Sequence, residues 1–209
     1  MAMVTGYWLF GGHRQPGTPV LCSQAGSAIM GPIFAGAFSR LFRESGDPSW
    51  TKMPRRQLYA IPYGMYVLTS KSKDGKDVSA ATVNWLTQTS FSPPLVAVGV
   101  KGDSGTHAHI TETGVFAVNV IGKDQLDMAF TFFKSLEREG DSIGGQDFVP
   151  GPETGCALLT GSPAWWECKV VGQLDQGDHT LFLGEVLEAG TRQEDQTILM
   201  RDHNLNYGG

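Results

Sequence analysis

Hydrogen-bonding side chains are concentrated in one segment of the chain, Val78–Ser90. The amide, hydroxyl and indole side chains there are Ser79, Thr82, Asn84, Trp85, Thr87, Gln88, Thr89 and Ser90. A strand buried on both faces would not carry so many donors and acceptors. The segment is therefore either a strand with one wet face or a strand that lies along a polar ligand.

A second group of candidate residues follows the apolar run Leu95–Val100. Ser104 and Thr106 stand where a buried strand ends and a helix is expected to begin. Hydroxyls and unpaired amide N–H groups at such a junction suit a phosphate, and Lys101 could add positive charge. Ser and Thr also favour the N-cap of a helix, and both roles can hold together.

Metal, phosphate-loop and hydrolase motifs are missing from the sequence. His107 and His109 could face one way on a strand, but their segment is predicted helical and spacing supplies no third ligand, so we expect no metal site. The sequence contains no P-loop, no GxGxxG after a strand and no GxSxG. The carboxylates are scattered, so no acid–base pair is predicted.

The composition of the chain limits the cellular location and the binding partners that we expect. A net charge of −5 disfavours nucleic acid and anionic membranes as partners, and 41% hydrophobic residues are typical of a soluble protein. We expect no membrane span, because no apolar run reaches about 18 residues. Three cysteines without a CxxC pair indicate a reducing, cytoplasmic compartment, with Cys156 and Cys168 as small core residues.

The segments beyond residue 60 are patterned mainly as strands. Asp74-Gly75 is a hairpin turn signal, and Gln176-Gly177-Asp178 predicts another. We expect a closed or partly open antiparallel barrel with one or two helices. The predicted strands are Gly64–Ser70, Val78–Ser90, Leu95–Val100, Val115–Ile121, Ala164–Leu174 and His179–Ala189, with a last short strand at Ile198–Met200. Helices are predicted at His107–Thr113 and Lys123–Leu136, and a loop at Glu137–Thr154.

Residues 1–52 differ from the rest of the chain. They are Gly-rich, lack sustained periodicity and carry four basic and two acidic residues, whereas the remainder carries 12 and 19. We expect an N-terminal extension that is disordered or arises from a misassigned start, with Met53 as the true start and residues 53–209 as the domain. The alternative is that Phe34–Phe42 docks as an amphipathic helix.

Three stretches, in order and at their spacing, resemble the flavin reductase-like, FMN-binding split-barrel family. They are VSAATVNWLTQTSFSPPLVAVGV, KGDSGTHAHITETGVFAVNVI and PAWWECKVVGQLDQGDHTLFLGEVLEAG. The resemblance runs from about Ile61 to Leu187. It implies an antiparallel, Greek-key-like split β-barrel, a homodimer with flavin near the subunit interface, and reduction by NADH or NADPH.

The resemblance also implies roles for individual residues. Thr82, Asn84 and Trp85 would contact the flavin, although Trp85 could equally be a core residue. Ser79, on the same strand, is assigned to cofactor binding. Thr87, Gln88 and Ser90 would line the ring edge or ribityl chain, and Lys101, Ser104 and Thr106 the FMN phosphate. Many members carry an arginine near that turn, where this chain has Gly102-Asp103.

His179 is the candidate catalytic residue, because in the family this histidine lies beside the flavin where nicotinamide would dock. Asp178 is interpreted as a turn residue. The implied function is an NAD(P)H:flavin oxidoreductase that uses FMN, with FAD or riboflavin as possible substrates, and passes electrons to free flavin, a monooxygenase or another acceptor protein. The cofactor would carry the chemistry, which agrees with the absence of an acid–base pair. The alternatives are a flavin-carrying electron-transfer protein and a non-catalytic FMN-binding module.

Overall fold

The computed structural model describes residues 61–194 and 196–203. The predicted extension, residues 1–52, lies outside this range. The described elements are β1 (Tyr66–Lys71), β2 (Val78–Val83), β3 (Leu86–Phe91), β4 (Pro94–Lys101), α1 (Gly105–Thr113), β5 (Val115–Val120), α2 (Leu126–Thr131), β6 (Arg138–Glu139), β7 (Ser142–Ile143), β8 (Gln146–Pro150), β9 (Ala157–Leu159), β10 (Ala164–Asp175), β11 (His179–Thr191) and a 3₁₀ helix (Met200–His203).

Seven strands form one sheet in the order β2-β1-β5-β10-β11-β4-β3, and each neighbouring pair is antiparallel. The two edge strands of this order, β2 and β3, are consecutive in the chain. The prediction of a mainly β, antiparallel protein with two short α-helices is confirmed. No helix among the described residues combines the length and hydropathy that crossing a bilayer requires.

Strands β1 and β5 are buried on both faces. In β1, Val67 and Leu68 are both fully buried, yet they belong to different clusters of core side chains. One cluster, which includes Leu68, Phe116 and Phe182, also contains Ile110 of α1. The other, which includes Val67, contains side chains of α2 and of the smaller sheet. Both strands are mainly apolar because neither face meets water, and their buried polar side chains Thr69, Ser70 and Asn119 hydrogen bond to backbone carbonyls.

The predicted strand Val78–Ser90 is wrong in one respect, since it is two strands. β2 pairs with β1 as far as Val83, opposite Tyr66, and β3 begins to pair with β4 at Leu86. The residues between them are Asn84 and Trp85. Because the two strands lie at opposite ends of the sheet order, the chain must leave one ladder before it joins the other.

The predicted helix Lys123–Leu136 is shorter than expected and spans only Leu126–Thr131. The Phe132 carbonyl accepts a hydrogen bond from the Thr82 amide, 3.0 Å away, so the chain is drawn onto β2 after one and a half turns. Phe132 is buried, whereas Phe130 and Phe133 are exposed. A helical period over Lys123–Leu136 predicts one apolar face with Leu126, Ala129, Phe130 and Phe133, and the structure contradicts it for the two phenylalanines.

The predicted loop Glu137–Thr154 is also wrong, because most of it forms a second sheet with the order β6-β7-β8-β9. Its strands are two to five residues long and are joined by glycines with positive φ, including Gly140 at 64° and Gly144 at 58°. Glycine adopts this backbone conformation readily, which makes each turn compact. The glycines that suggested a loop are thus turns between short strands.

The structure also bears on the predicted α1 helix, on the predicted β10–β11 hairpin and on the last predicted strand. The α1 helix is confirmed, with Ser104 as its N-cap and Gly114, at φ 69°, as its C-cap. The hairpin of β10 and β11 is confirmed and is longer than predicted. The possible strand Ile198–Met200 is not formed; isolated bridges from Gly64 to Leu199 and from Gly122 to Thr197 precede the 3₁₀ helix.

Candidate functional site

Two adjoining cavities lie where β2, the start of α1 and the segment after α2 meet. One, of about 400 Å³, is named here the apolar compartment. The other, of about 500 Å³, is named the polar compartment. Both volumes are in the range of small-molecule sites. The lining of the apolar compartment includes Met65, Thr82, Asn84, Lys101 and Met200. The lining of the polar compartment includes Ser79, Thr106, His109, Lys134 and Arg138. The two compartments share Ala81, Ser104, Phe132 and Phe133.

The start of α1 forms the boundary between the two compartments. Ser104 caps the helix, since its Oγ accepts from the His107 amide at 3.1 Å and donates to the Lys101 carbonyl at 2.8 Å. The amides of Gly105 and Thr106 donate to no described residue, and a Cβ at Gly105 would stand in open space. The two amides are therefore available to an anion.

Thr106 strengthens this interpretation. The residue is only 2% exposed, and its hydroxyl makes no hydrogen bond with the residues that the structure describes. Among the described residues, the fully buried side-chain polar atoms without a partner are Ser162 Oγ and Trp166 Nε1, so the Thr106 hydroxyl is not sealed from solvent and can be reached by water or a ligand. Its position in the wall of the polar compartment fits a hydrogen bond to a bound phosphate.

Polar groups of the apolar compartment come from the end of β2 and the residue after it. The Thr82 hydroxyl donates to the Ala129 carbonyl at 2.7 Å and keeps its lone pairs as acceptors. Asn84 is 7% exposed, and its amide nitrogen lies 3.0 Å from the Met200 sulfur. Because a thioether is a weak acceptor, the Asn84 amide can exchange this contact for a stronger one with a ligand.

Trp85 and His179 are brought together beside the apolar compartment. Their ring centroids are 4.5 Å apart with a tilt of 50°. His179 lies opposite Lys101 in the β11–β4 ladder, and Trp85 follows Asn84 in the chain. A Cβ at Gly99 would be 3.1 Å from the Trp85 ring, so the glycine lets the indole lie close to β4.

The orientation of His179 is also set by Asp178. Nδ1 of the histidine is 2.9 Å from Oδ1 of the aspartate, whose side chain is exposed. The hydrogen bond from His179, and then its charge, hold the pKa of Asp178 below its ordinary value. A neutral ring that donates from Nδ1 would leave Nε2 as its acceptor.

Three predicted site residues lie apart from both compartments. Thr87, Gln88 and Ser90 belong to β3, and the first two are exposed. Gln88 lines a separate groove with Pro94 and Trp166. Within one chain these residues do not meet the other predicted flavin contacts, and their assignment stays a prediction.

Lys101 forms an ion pair with Asp103 at 3.0 Å while it lines the apolar compartment. The predicted phosphate turn therefore carries a carboxylate next to its lysine. The basic side chains at the polar compartment are His109 on α1 and Lys134 and Arg138 after α2.

His109, Phe132, Phe133, Lys134 and Met200 were missed by sequence reasoning. His109 could have been found, because it lies three residues after Thr106 and so on the same face of α1. The others carry no local signal. They reach the site only because the chain after α2 docks on β2 and because the last described turn returns to Met65 and Asn84.

The two described cysteines are buried core residues, as predicted. Burial is the main cause that raises the pKa of Cys156 to about 11 and that of Cys168 to about 12. Both thiols are therefore protonated near neutral pH and do not act as nucleophiles. In the part of the chain that the structure describes, no three His, Cys, Asp or Glu side chains gather into a possible metal site.

Comparison with known proteins gives consistent results. The model of the flavin reductase like domain matches residues 58–208. An NADH-dependent FAD reductase of Streptomyces globisporus is 35% identical over 144 residues, which cover 68% of this chain and 78% of the relative.

Solved structures with the same fold include the NADH:FAD oxidoreductase SgcE6 of Streptomyces globisporus, with a TM-score of 0.63 and 32% identity over 73% of this chain and 90% of that one. The styrene monooxygenase flavin reductase of Pseudomonas putida S12 has a TM-score of 0.59 and 34% identity, over 70% and 91% of the two chains. The predicted split-barrel fold is thereby confirmed, and the chain belongs to the flavin reductase-like family.

Proposed function

We propose that this protein is an NAD(P)H-dependent flavin reductase that binds FMN, or FAD or riboflavin as substrate, in the two compartments. The observation that carries the proposal is their junction at Ser104, where an apolar cavity meets a polar one whose helix start offers two amides that pair with none of the described residues. A flavin has the same division, with a flat ring at one end and a phosphate ester at the other. Family membership supports the same function.

The apolar compartment would hold the flavin ring. Thr82 and Asn84 place a hydroxyl and an amide in a mainly apolar wall, where they can meet the polar edge of the ring. Ser79, Ser104 and Thr106 would lie along the phosphate-bearing tail in the polar compartment. When bound, the flavin supplies an acceptor for the hydride of the reduced nicotinamide.

His179 and Trp85 would define the place of the nicotinamide. Their contact fixes the imidazole beside the apolar compartment, and Asp178 fixes its tautomer. Hydride transfer requires the two rings to be held face to face, and it requires no protein acid or base in that step. The protein's contribution is therefore to orient the rings and to exclude water.

A homodimer is part of the proposal. Thr87, Gln88 and Ser90 could reach a flavin if their strand faced the compartments of a second subunit. Phe91, at the end of the same strand, is 89% exposed, which supports an interface there. Sedimentation of the protein and of Phe91→Lys would test this: a dimer that the substitution dissociates supports the interface, and a monomeric wild-type protein contradicts it.

The reaction is tested by mixing purified protein with FMN or FAD and with NADH or NADPH, and by following the loss of reduced nicotinamide absorbance. Rapid loss that depends on flavin is expected, and Thr82→Val with Asn84→Leu should reduce it. Flavin binding without turnover would favour the electron-transfer or non-catalytic alternatives. The same assay with a monooxygenase that requires reduced flavin would test transfer to a partner; such a role would resemble that of the styrene monooxygenase flavin reductase named above.

Residues 1–52 are proposed to be an extension outside the catalytic domain, because the family match begins at residue 58. A chain that starts at Met53 should fold, dimerise and bind flavin like the whole protein. Insolubility or a large fall in its melting temperature would instead support docking of Phe34–Phe42. A cytoplasmic location is also proposed, supported by the odd number of cysteines and by the two that are free.

A further inference from the structure

The imidazole of His109 lines the polar compartment, on the same face of α1 as Thr106. Its Nδ1 lies 3.1 Å from the Ser79 hydroxyl, and its Nε2 has no partner among the described residues. The Ser79 hydroxyl is also 3.4 Å from the Ser70 carbonyl, a longer contact. If Ser79 donates to Nδ1, the ring proton lies on Nε2 and can be donated to a ligand oxygen.

Lys134 is the second available donor of this compartment. Its ammonium makes no hydrogen bond or ion pair with the residues that the structure describes. Arg138, by contrast, is held in place, because its guanidinium donates to the carbonyls of Gly140, Gly75 and Lys76 and pairs with Asp141.

The compartment as a whole is not strongly basic. Asp77 and Glu137 also line it and balance the charges of Lys134 and Arg138. Bulk charge would therefore not concentrate a phosphate here. Recognition of an anion must come from directed donors, namely the two α1 amides, the Thr106 hydroxyl, His109 and Lys134.

We infer that His109 and Lys134 bind the phosphate end of the flavin, either the terminal phosphate of FMN or the diphosphate of FAD, together with the free amides of Gly105 and Thr106. The inference rests on the proposed function and assigns the two residues to selectivity for phosphorylated flavins over riboflavin. Lys134 reaches the site from the segment after α2 and His109 from α1, so the ligand would bridge the two elements.

Binding is measured by flavin fluorescence titration with FMN, FAD and riboflavin for the wild-type protein, His109→Asn, His109→Leu and Lys134→Gln. Each substitution should weaken FMN and FAD binding by about ten-fold or more, as expected for loss of a charge-assisted hydrogen bond. Riboflavin affinity should change by less than about two-fold. Lys76→Gln is the matched control, since this lysine is exposed in the β1–β2 turn and does not line the compartment.

The titration with riboflavin, which has no phosphate, distinguishes the loss of a phosphate contact from a change in the shape of the pocket. Equal weakening of FMN and riboflavin in these variants, or unchanged FMN affinity in all of them, would overturn the inference. If His109→Leu does not fold, His109→Asn still removes the donor at Nε2 while it keeps a polar side chain near Ser79. The proposed function fails separately, through a wild-type protein that binds no flavin or oxidises no reduced nicotinamide.

Discussion

Glu167 is a buried carboxylate whose removal should destabilise the fold by a measurable amount. It lies in β10, is fully buried, and accepts from three donors of the turn between β8 and β9. Oε1 accepts from the Thr154 amide at 2.7 Å and the Thr154 hydroxyl at 2.5 Å, and Oε2 accepts from the Glu153 amide at 3.2 Å. The carboxylate thus ties the smaller sheet to the main one.

Glu167→Gln is the least disruptive perturbation. The glutamine carbonyl can replace Oε1, but its NH₂ group then faces the Glu153 amide, and one donor is left without an acceptor. Two charge-assisted bonds also become neutral. We expect the free energy of unfolding to fall by about 2–4 kcal/mol. Glu167→Ala removes the acceptor of all three donors at once and leaves a cavity, so a fall of about 3–5 kcal/mol is expected.

Urea unfolding followed by tryptophan fluorescence measures both variants against the wild-type protein. Glu188→Gln is the matched control, because Glu188 is the cross-strand neighbour of Glu167 in β11 and is exposed. It should change the free energy of unfolding by less than about 0.5 kcal/mol. If Glu167→Gln and Glu188→Gln have the same effect, the buried carboxylate does not hold the turn and the reasoning is wrong.

Replacing Thr82 with Val and Asn84 with Leu together should weaken FMN binding, because polar atoms of the ring lose partners at about 1–3 kcal/mol each. Titration that finds the wild-type affinity would remove both residues from the site. His179→Ala should lower the rate of flavin reduction more than flavin affinity, measured by stopped-flow and by titration. The opposite pattern would make His179 a residue that positions the flavin. In the folded state the pKa of Cys156 is about 11 and that of Cys168 is about 12, both above the ordinary value of 9.0. The stability that the two protonated thiols contribute is therefore complete below pH 9 and is lost as the pH rises through 11 and 12. Urea unfolding between pH 9 and pH 12 should show a steeper fall in the free energy of unfolding for the wild-type protein than for a variant with alanine at both positions. The same pH dependence in both proteins would contradict the raised pKa values of the two thiols.

Local patterns in the sequence were sufficient for much of the fold. The alternation and turn chemistry around Gln176-Gly177-Asp178 predicted the β10–β11 hairpin, because strand and turn preferences act over a few residues. The Ser104 and Gly114 ends of α1 follow from capping preferences in the same way. The resemblance of the three stretches identified the family, since their residue types and spacing lie within the sequence itself.

Other features depended on contacts between distant segments. The break at Asn84 and Trp85 follows from which ladder each strand joins, and a strand pattern does not contain that choice. The end of α2 depends on the hydrogen bond between Phe132 and Thr82, 50 residues apart in the chain. A six-residue helix held in this way is decided by tertiary packing and not by its propensity.

The residues of the site also divide into those that the sequence indicates and those that only contacts between distant segments bring together. The sequence by itself made Ser104 and Thr106 candidates through their place at a helix start, and its resemblance to the family made Thr82, Asn84 and His179 candidates for flavin contact. Only the tertiary structure decided which side chains share a cavity. His109 and Lys134 join the polar compartment and the residues of β3 do not, since a side chain's neighbours are set by the docking of elements that sequence periodicity describes one at a time.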